Sequence, residues 1–368
     1  MGLKSSCHDI YGRECLNRGK AESDLSATEG ISFMSFFGWK SGRAGDSGTT
    51  KLFFASDFHG SERTFRKFIN AAKHYQADVL VMGGDIVGKL TIPIIREGPR
   101  GYRAHLMGRT ERLDGEEGLK DLLARLDTLG YYSKVMEEDE FRALKDDPPA
   151  VERLFHGLAR SRLQSWIELA ETRLSGTGKK CYVMGGNDDD PEVLEILKGT
   201  TTQSVVYCEE RAIEIDAHHK MLSVGYSNPT PWKTPRELPE EKLGEVIEGL
   251  VGGGQDHSHS IFNFHVPPVD SGLDTCPELD WTTDPPSQIV KGGQVVLYGA
   301  GSRSVRRAIE THQPMLSLHG HIHESGGVVK LGRTVSVNPG SEYGEGVLRG
   351  CFIQLGPDQV KSHQLTAG

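Results

Sequence analysis

Three things are scarce in this sequence: paired cysteines, long apolar runs and an excess of positive charge. The six cysteines of the 368-residue chain, Cys7, Cys15, Cys181, Cys208, Cys276 and Cys351, are scattered without a CxxC pair. That suits reduced thiols in a cytosol better than a disulfide framework or a thiolate zinc site. No apolar stretch approaches the roughly 20 residues that cross a bilayer, and the opening residues hold no apolar signal core. A soluble, unsecreted, cytoplasmic protein with no membrane partner is expected. Lys and Arg number 42 against 51 Asp and Glu, a formal charge of -9. Phosphate backbones are held by excess cation, so general nucleic-acid binding is not favoured, and an anionic ligand must find local positive charge.

The chain is long for one compact core, which predicts one large domain with insertions or two domains. Residues 1–48, rich in Gly, Ser and charge, lack periodicity and read as a loosely ordered extension. Their opening MGLKSS fits a myristoylation pattern, with Cys7 beside it as a second acylation position. Order is expected from Lys51. KLFFAS reads as a buried strand, a helical stripe follows through Phe65, Phe68, Ile69 and Ala72 with Ser61 as its cap, and DVLVMGGD reads as a second buried strand. This βαβ pattern implies parallel strands. Residues 91–178 turn charged and helical in period, with Leu119, Leu122, Leu123 and Leu126 on one stripe and Phe155, Leu163, Trp166 and Ile167 on another. They read as an inserted, mostly helical cap. Strand rhythm returns from Lys179, so residues 49–90 and 179–368 form the expected core.

Polar residues stand where the apolar strands stop. SDFHG supplies Asp57 and His59, GGDIVG supplies Asp85, GGNDDD supplies Asn187, Asp188 and Asp189, and NFHVPP supplies His265. In LHGHIHE, alternation along an extended strand predicts that His321 and His323 project together. Carboxyl ends of strands are where open α/β sheets bind ligands. Each fragment alone more often marks a solvated turn or a satisfied histidine. Together they give oxygen and imidazole donors without sulfur, which suits Mn, Fe, Zn, Co or Ni, and enough of them for two ions.

These fragments, in this order, resemble the signature of the calcineurin-like metallophosphoesterases: D-x-H at Asp57 to His59, G-D at Gly84 and Asp85, G-N at Gly186 and Asn187, the lone His265, G-H-x-H at Gly320 to His323, and NPGS at Asn338 to Ser341. The resemblance covers residues 51–90 and 180–345. It implies a four-layer α-β-β-α sandwich and two divalent transition-metal ions. Asp57, His59, Asp85 and His323 would hold one, Asp85, Asn187, His265 and His321 the other, with Asp85 as the bridge. His319 is left as a supporting residue. Paired ions activate a bridging hydroxide and stabilise an in-line displacement at phosphorus, so the implied function is hydrolysis of a phosphodiester or small organic phosphate.

One position departs from the pattern. Where most members carry histidine after the ligand asparagine, this chain has Asp188. Its carboxyl either serves catalysis, as a proton donor raised by its acidic neighbours, or caps the helix starting near Pro191. Asp188, Asp85 and His265 are therefore the candidate catalytic residues. Arg96, Arg100, Arg103, Arg109 and Arg112 gather early in the insertion, as a phosphate-contacting cluster or a solvated face offset by Glu137 to Glu140. A nuclease is one rival function and a non-catalytic scaffold on the same fold is the other. The sequence leaves a homo-oligomer open.

Overall fold

The computed structural model describes residues 48–283 and 286–368. The expected N-terminal extension and its acylation pattern lie outside the described residues.

The strand rhythm separates two layers of packing. In β1 (Thr50–Ala55), Phe53 and Ala55 face one apolar cluster while Leu52 and Phe54 face another. Strand β2 (Val79–Gly83) divides the same way, Leu80 and Met82 against Val79 and Val81. Alternate residues of a strand point to opposite faces, so a continuous apolar run signals a strand buried on both sides. Between them runs α1 (Glu62–His74), which buries Phe65, Phe68, Ile69 and Ala72, the stripe read from the sequence. Ser61 stands at its N-cap position, but the hydroxyl donates to the carbonyl of Thr128 at 2.7 Å instead of capping.

The segment that follows is helical in α2 (Gly115–Leu129), α3 (Glu138–Lys145) and α4 (Pro148–Leu174). It also carries a sheet that its period did not announce: β3 (Thr91–Glu97), β4 (Gly101–Leu106), β5 (Arg109–Asp114) and β6 (Tyr132–Met136), in the order β5-β4-β3-β6. Ile94, Tyr102, Ala104 and Leu106 of this sheet pack on Leu119, Leu122 and Leu126 of α2 as a separate small core. Helix α4 instead lays Phe155, Leu163, Trp166 and Ile167 into the cluster that holds α1 and one face of β1 and β2. Burying each such side chain contributes about 1.5–3 kcal/mol, so this helix covers the main sheet.

The chain then adds β7 (Lys180–Met184), α5 (Pro191–Lys198), β8 (Val205–Tyr207), β9 (Ala212–Glu214), β10 (Lys220–Val224), α6 (Glu240–Val251) and β11 (Ser260–Phe264). An arm of short strands follows, β12 (Thr275–Pro277), β13 (Leu279–Asp280), β14 (Ser287–Gln288), β15 (Val290–Lys291), β16 (Gln294–Val295) and β17 (Leu297–Gly299). After α7 (Arg303–His312) come β18 (Leu316–Leu318), β19 (Gly327–Leu331), β20 (Thr334–Asn338), β21 (Arg349–Gly356) and β22 (Gln359–Ala367).

Two six-stranded sheets result, β22-β21-β1-β2-β7-β8 and β19-β20-β18-β11-β10-β9. Leu52, Val81 and Met184 of the first share a cluster with Met221, Ile261 and Leu318 of the second, so the sheets pack face to face. Helices α1, α4 and α5 cover the outer face of the first sheet, and α6 and α7 that of the second. Strands β1, β2 and β7 run parallel within one sheet, and β10, β11, β18 and β20 within the other. Their carboxyl ends carry the motifs. Among the described residues no helix is long and apolar enough to cross a membrane.

Candidate metal centre

The motif residues converge. Asp57 and His59 follow β1, Asp85 follows β2, Asn187 and Asp188 follow β7, His265 follows β11, and His321 and His323 follow β18. His323 Nε2 lies 3.4 Å from Asp57 Oδ1, and His265 Nε2 lies 3.4 Å from Asp85 Oδ2 and 3.9 Å from Asp57 Oδ1. His59 Nε2 lies 3.7 Å from Asp85 Oδ2 and 3.2 Å from His323 Nε2. His321 Nδ1 is 2.7 Å from Asn187 Oδ1, whose amide nitrogen donates to Thr234 Oγ1 at 2.9 Å.

The backbone is bent to achieve this. Asp57, His59, Asp85 and His321 have φ of 59°, 41°, 49° and 69°. Left-handed backbone is unfavourable for residues with a Cβ, and its concentration at polar strand ends is typical of functional sites. The histidine pair also departs from the extended geometry expected of LHGHIHE. Strand β18 stops at Leu318, and the chain turns at Gly320, where a Cβ would lie 2.1 Å from Ser56 Oγ and 2.3 Å from Asp57 Oδ2. Only glycine lets the turn press so close to the carboxylate. Asn338 fixes that turn by donating to the carbonyls of Gly320 and Ile322 at 3.2 and 3.0 Å, and Ser341 Oγ donates to the Asp57 carbonyl at 2.7 Å.

The residues fit divalent cations. Asp57, His59 and His323 form one group of converging ligand atoms, Asp57, Asp85 and His265 a second, and His59, Asp85 and Asp188 a third. Buried His265 Nε2 and His59 Nδ1 have no hydrogen-bond partner. The other His265 nitrogen, Nδ1, donates to the Gly83 carbonyl at 2.8 Å, which turns Nε2 towards two carboxylates, as in a metal ligand with its outer partner. Electrostatics agree. Burial acts against charge on His265, yet Asp85 and Asp57 push it up to about 9. Burial likewise raises Asp57 and Asp85, but neighbouring histidines hold both carboxyls below their usual range. The cluster favours added positive charge at its centre.

Other residues take unforeseen places. Asp189 is fully buried and accepts from the backbone N–H of Val87, Ile86 and Gly186 at 2.7, 3.1 and 2.7 Å, tying the β2 and β7 loops together. Burial and the charge of Asp85 push it up to about 7 against those three bonds. Asp188 is not the helix cap: Asp190 fills that role on α5, accepting from Glu192 N at 2.8 Å. Asp188 Oδ2 instead meets Lys89 Nζ at 2.8 Å. Lys89 was not legible as a site residue, because a single lysine after GGDIVG carries no spacing signal. His319 supports the fold, with Nδ1 2.7 Å from the Phe264 carbonyl and Nε2 2.9 Å from Ser317 Oγ. Three of the five clustered arginines pair with acids: Arg96 with Glu137, Arg103 with Glu97 and Glu138, Arg112 with Glu97.

No family model matches the chain. An uncharacterized protein of Methanocaldococcus jannaschii is 28% identical over 156 residues, which are 42% of this chain and 61% of that protein. The chain thus spans about three fifths of the length of this curated relative. A solved crystal structure aligns with 87% of this chain and 98% of its own at 15% identity, with a TM-score of 0.50. TT1561 of Thermus thermophilus covers the same shares at 15% identity with a TM-score of 0.46. A dimetal phosphatase from Danio rerio aligns with 86% of this chain and 98% of its own at 9% identity and a TM-score of 0.36. Such identities speak to fold alone. With helix-covered paired sheets and the D-x-H, G-D, G-N, H and G-H-x-H residues gathered at their strand ends, the chain has the calcineurin-like metallophosphoesterase fold.

Proposed function

We propose that this protein is a two-metal phosphohydrolase acting on a phosphodiester or small organic phosphate. The observation that carries the reading is the orientation of His265, with Nδ1 bonded to a backbone carbonyl and its buried Nε2 turned on Asp85 and Asp57. Asp57, His59, Asp85 and His323 would hold one ion, and Asp85, Asn187, His265 and His321 the other. Bound there, two divalent cations supply the charge that activates water and neutralises phosphoryl oxygens. The protein's part is to hold those donors in place. Thr234 orients the Asn187 amide, Asp189 fixes the loops that carry Asp85 and Asn187, and Asn338 fixes the histidine turn.

Among the rivals, a nuclease would draw on a free basic surface, and three of the five clustered arginines, Arg96, Arg103 and Arg112, are already in ion pairs. The scaffold reading would fit lost ligands, whereas every ligand position holds a competent donor. A panel of phosphate monoesters, diesters and oligonucleotides, assayed with Mn, Ni and Zn, tests the reading. Turnover of small esters that depends on added metal is expected. No turnover of any ester with protein shown to bind metal would refute it.

A further inference from the structure

Lys89 stands four residues after Asp85, and nothing in the motif pattern asks for it. Its Nζ lies 2.8 Å from Asp188 Oδ2, with the two side chains only 8% and 5% exposed. Both residues line the same cavity as His59, Asp85 and Trp232. Withdrawing an ammonium from water is costly, and a pair held this deep at a ligand cluster suggests use as well as neutralisation.

The mounting is rigid on both sides. Approaching Lys89, the N–H groups of Ile86 and Val87 are held by Asp189, and that of Gly88 donates to the Tyr132 hydroxyl at 2.8 Å. On the other side the Asp188 N–H donates to Asp85 Oδ1 at 2.9 Å, and Asp188 Oδ2 lies 3.8 Å from His59 Nδ1. A cation fixed so tightly beside the ligand atoms is preorganised for an anionic group arriving there.

We propose that Lys89 is a catalytic residue of this site, its ammonium donating a hydrogen bond to a phosphoryl oxygen of the bound ester, and that Asp188 is the positioning residue that holds it there. This role rests on the phosphohydrolase reading above. An ammonium has three donors, so the ion pair with Asp188 and a bond to phosphate are compatible. It also accounts for an aspartate at position 188: a carboxylate there orients a cation supplied from the neighbouring strand end.

The test compares Mn-loaded wild type with Lys89→Gln, Asp188→Asn and the double variant, using an activated aryl phosphodiester and inorganic phosphate as competing anion, with bound metal measured for each. Lys89→Gln is expected to lower kcat/KM by about 10²-fold, the scale of one lost transition-state donor. It should weaken inhibition by phosphate roughly tenfold, with metal content unchanged. Asp188→Asn should lose less, and the double variant should be no worse than Lys89→Gln alone, as coupled residues are non-additive. Should Lys89→Gln fail to fold, Lys89→Met, which keeps the aliphatic stem, is held to the same outcomes. Unchanged kcat/KM and phosphate inhibition would overturn the role of Lys89, and so would loss of metal, which would make it a neutraliser of the ligand cluster. Additive losses would overturn the positioning role of Asp188. Wild type that binds metal yet hydrolyses no ester would overturn the phosphohydrolase reading, and this role with it.

Discussion

The backbone N–H of Asp188 donates to Oδ1 of Asp85 at 2.9 Å, joining the strand ends of β7 and β2 at one carboxylate. The junction leaves no room at Gly186, where a Cβ would sit 2.2 Å from Asp85 Oδ1 and 2.4 Å from Asp85 N. Gly186→Ala must therefore displace the carboxylate or the strand end. We expect this variant to bind less metal and to lose activity by a factor on the order of 10², measured by elemental analysis and kcat/KM. Wild-type values in both would show that the junction yields easily.

Asp189 binds the loops through three backbone N–H groups. Asp189→Asn places an amide NH₂ against backbone N–H groups that now meet a carboxylate, leaving a buried donor unmatched. A loss of about 1–3 kcal/mol for each unmatched group is expected, visible as a lower urea midpoint. An unchanged midpoint would mean that the loops hold without it.

These two residues show what the sequence could and could not reveal. Asp57, Asp85, Asn187 and His265 could be grouped from the sequence because each follows the end of an apolar strand, and strand ends of parallel sheets share one edge, whereas His323 lies beyond a turn that its alternating pattern did not announce. The four-stranded sheet of the insertion was hidden because its inward Tyr102, Ala104 and Leu106 alternate with Gly101, Arg103 and His105, a short pattern swamped by the charge around it. Lys89 and Asp189 gain their roles from partners on another strand end, which no local pattern encodes. The turn at Gly320 is likewise set by a tertiary fit, against Ser56 and Asp57.

A pH effect should appear away from the metal centre. His219 Nδ1 lies 2.6 Å from Asp216 Oδ2, and His219 is buried. Against burial, the carboxylate raises His219 above its ordinary 6.5, and His219 with Thr50 holds Asp216 below its ordinary 3.8. A raised histidine stabilises the fold below its unfolded pKa and loses that contribution as pH rises through the folded one. A depressed carboxyl stabilises above its unfolded pKa and loses this as pH falls through its folded value. Their joint contribution is greatest between about pH 4 and 6.5. Asp216→Asn should thus destabilise more at pH 5.5 than at pH 8.5 in urea titrations. An equal loss at both would assign the pair no charge-dependent share.

Asp188 is ion-paired with Lys89, and an ionised carboxylate cannot donate a proton, so the proposed hydrolysis would draw no general acid from position 188, where a positioned acid is worth about 10²- to 10⁴-fold. The wild-type rate should depend steeply on leaving-group pKa, activated aryl esters being cleaved far faster than alkyl ones. A plot of log kcat/KM against leaving-group pKa for substituted phenyl phosphodiesters measures it. A shallow slope would point to a proton donor other than Asp188.

In the proposed two-ion centre, Asp85 is the ligand assigned to both ions. Its carboxylate faces His265 at 3.4 Å and His59 at 3.7 Å. The most direct measurement is metal bound per chain, by elemental analysis of Mn-loaded wild type and Asp85→Ala, with diester hydrolysis followed on the same samples. A two-ion centre requires about two ions per wild-type chain, and loss of most metal and all measurable hydrolysis in the variant. Wild type that takes up no metal, or an Asp85→Ala protein that keeps both ions and full activity, would contradict it.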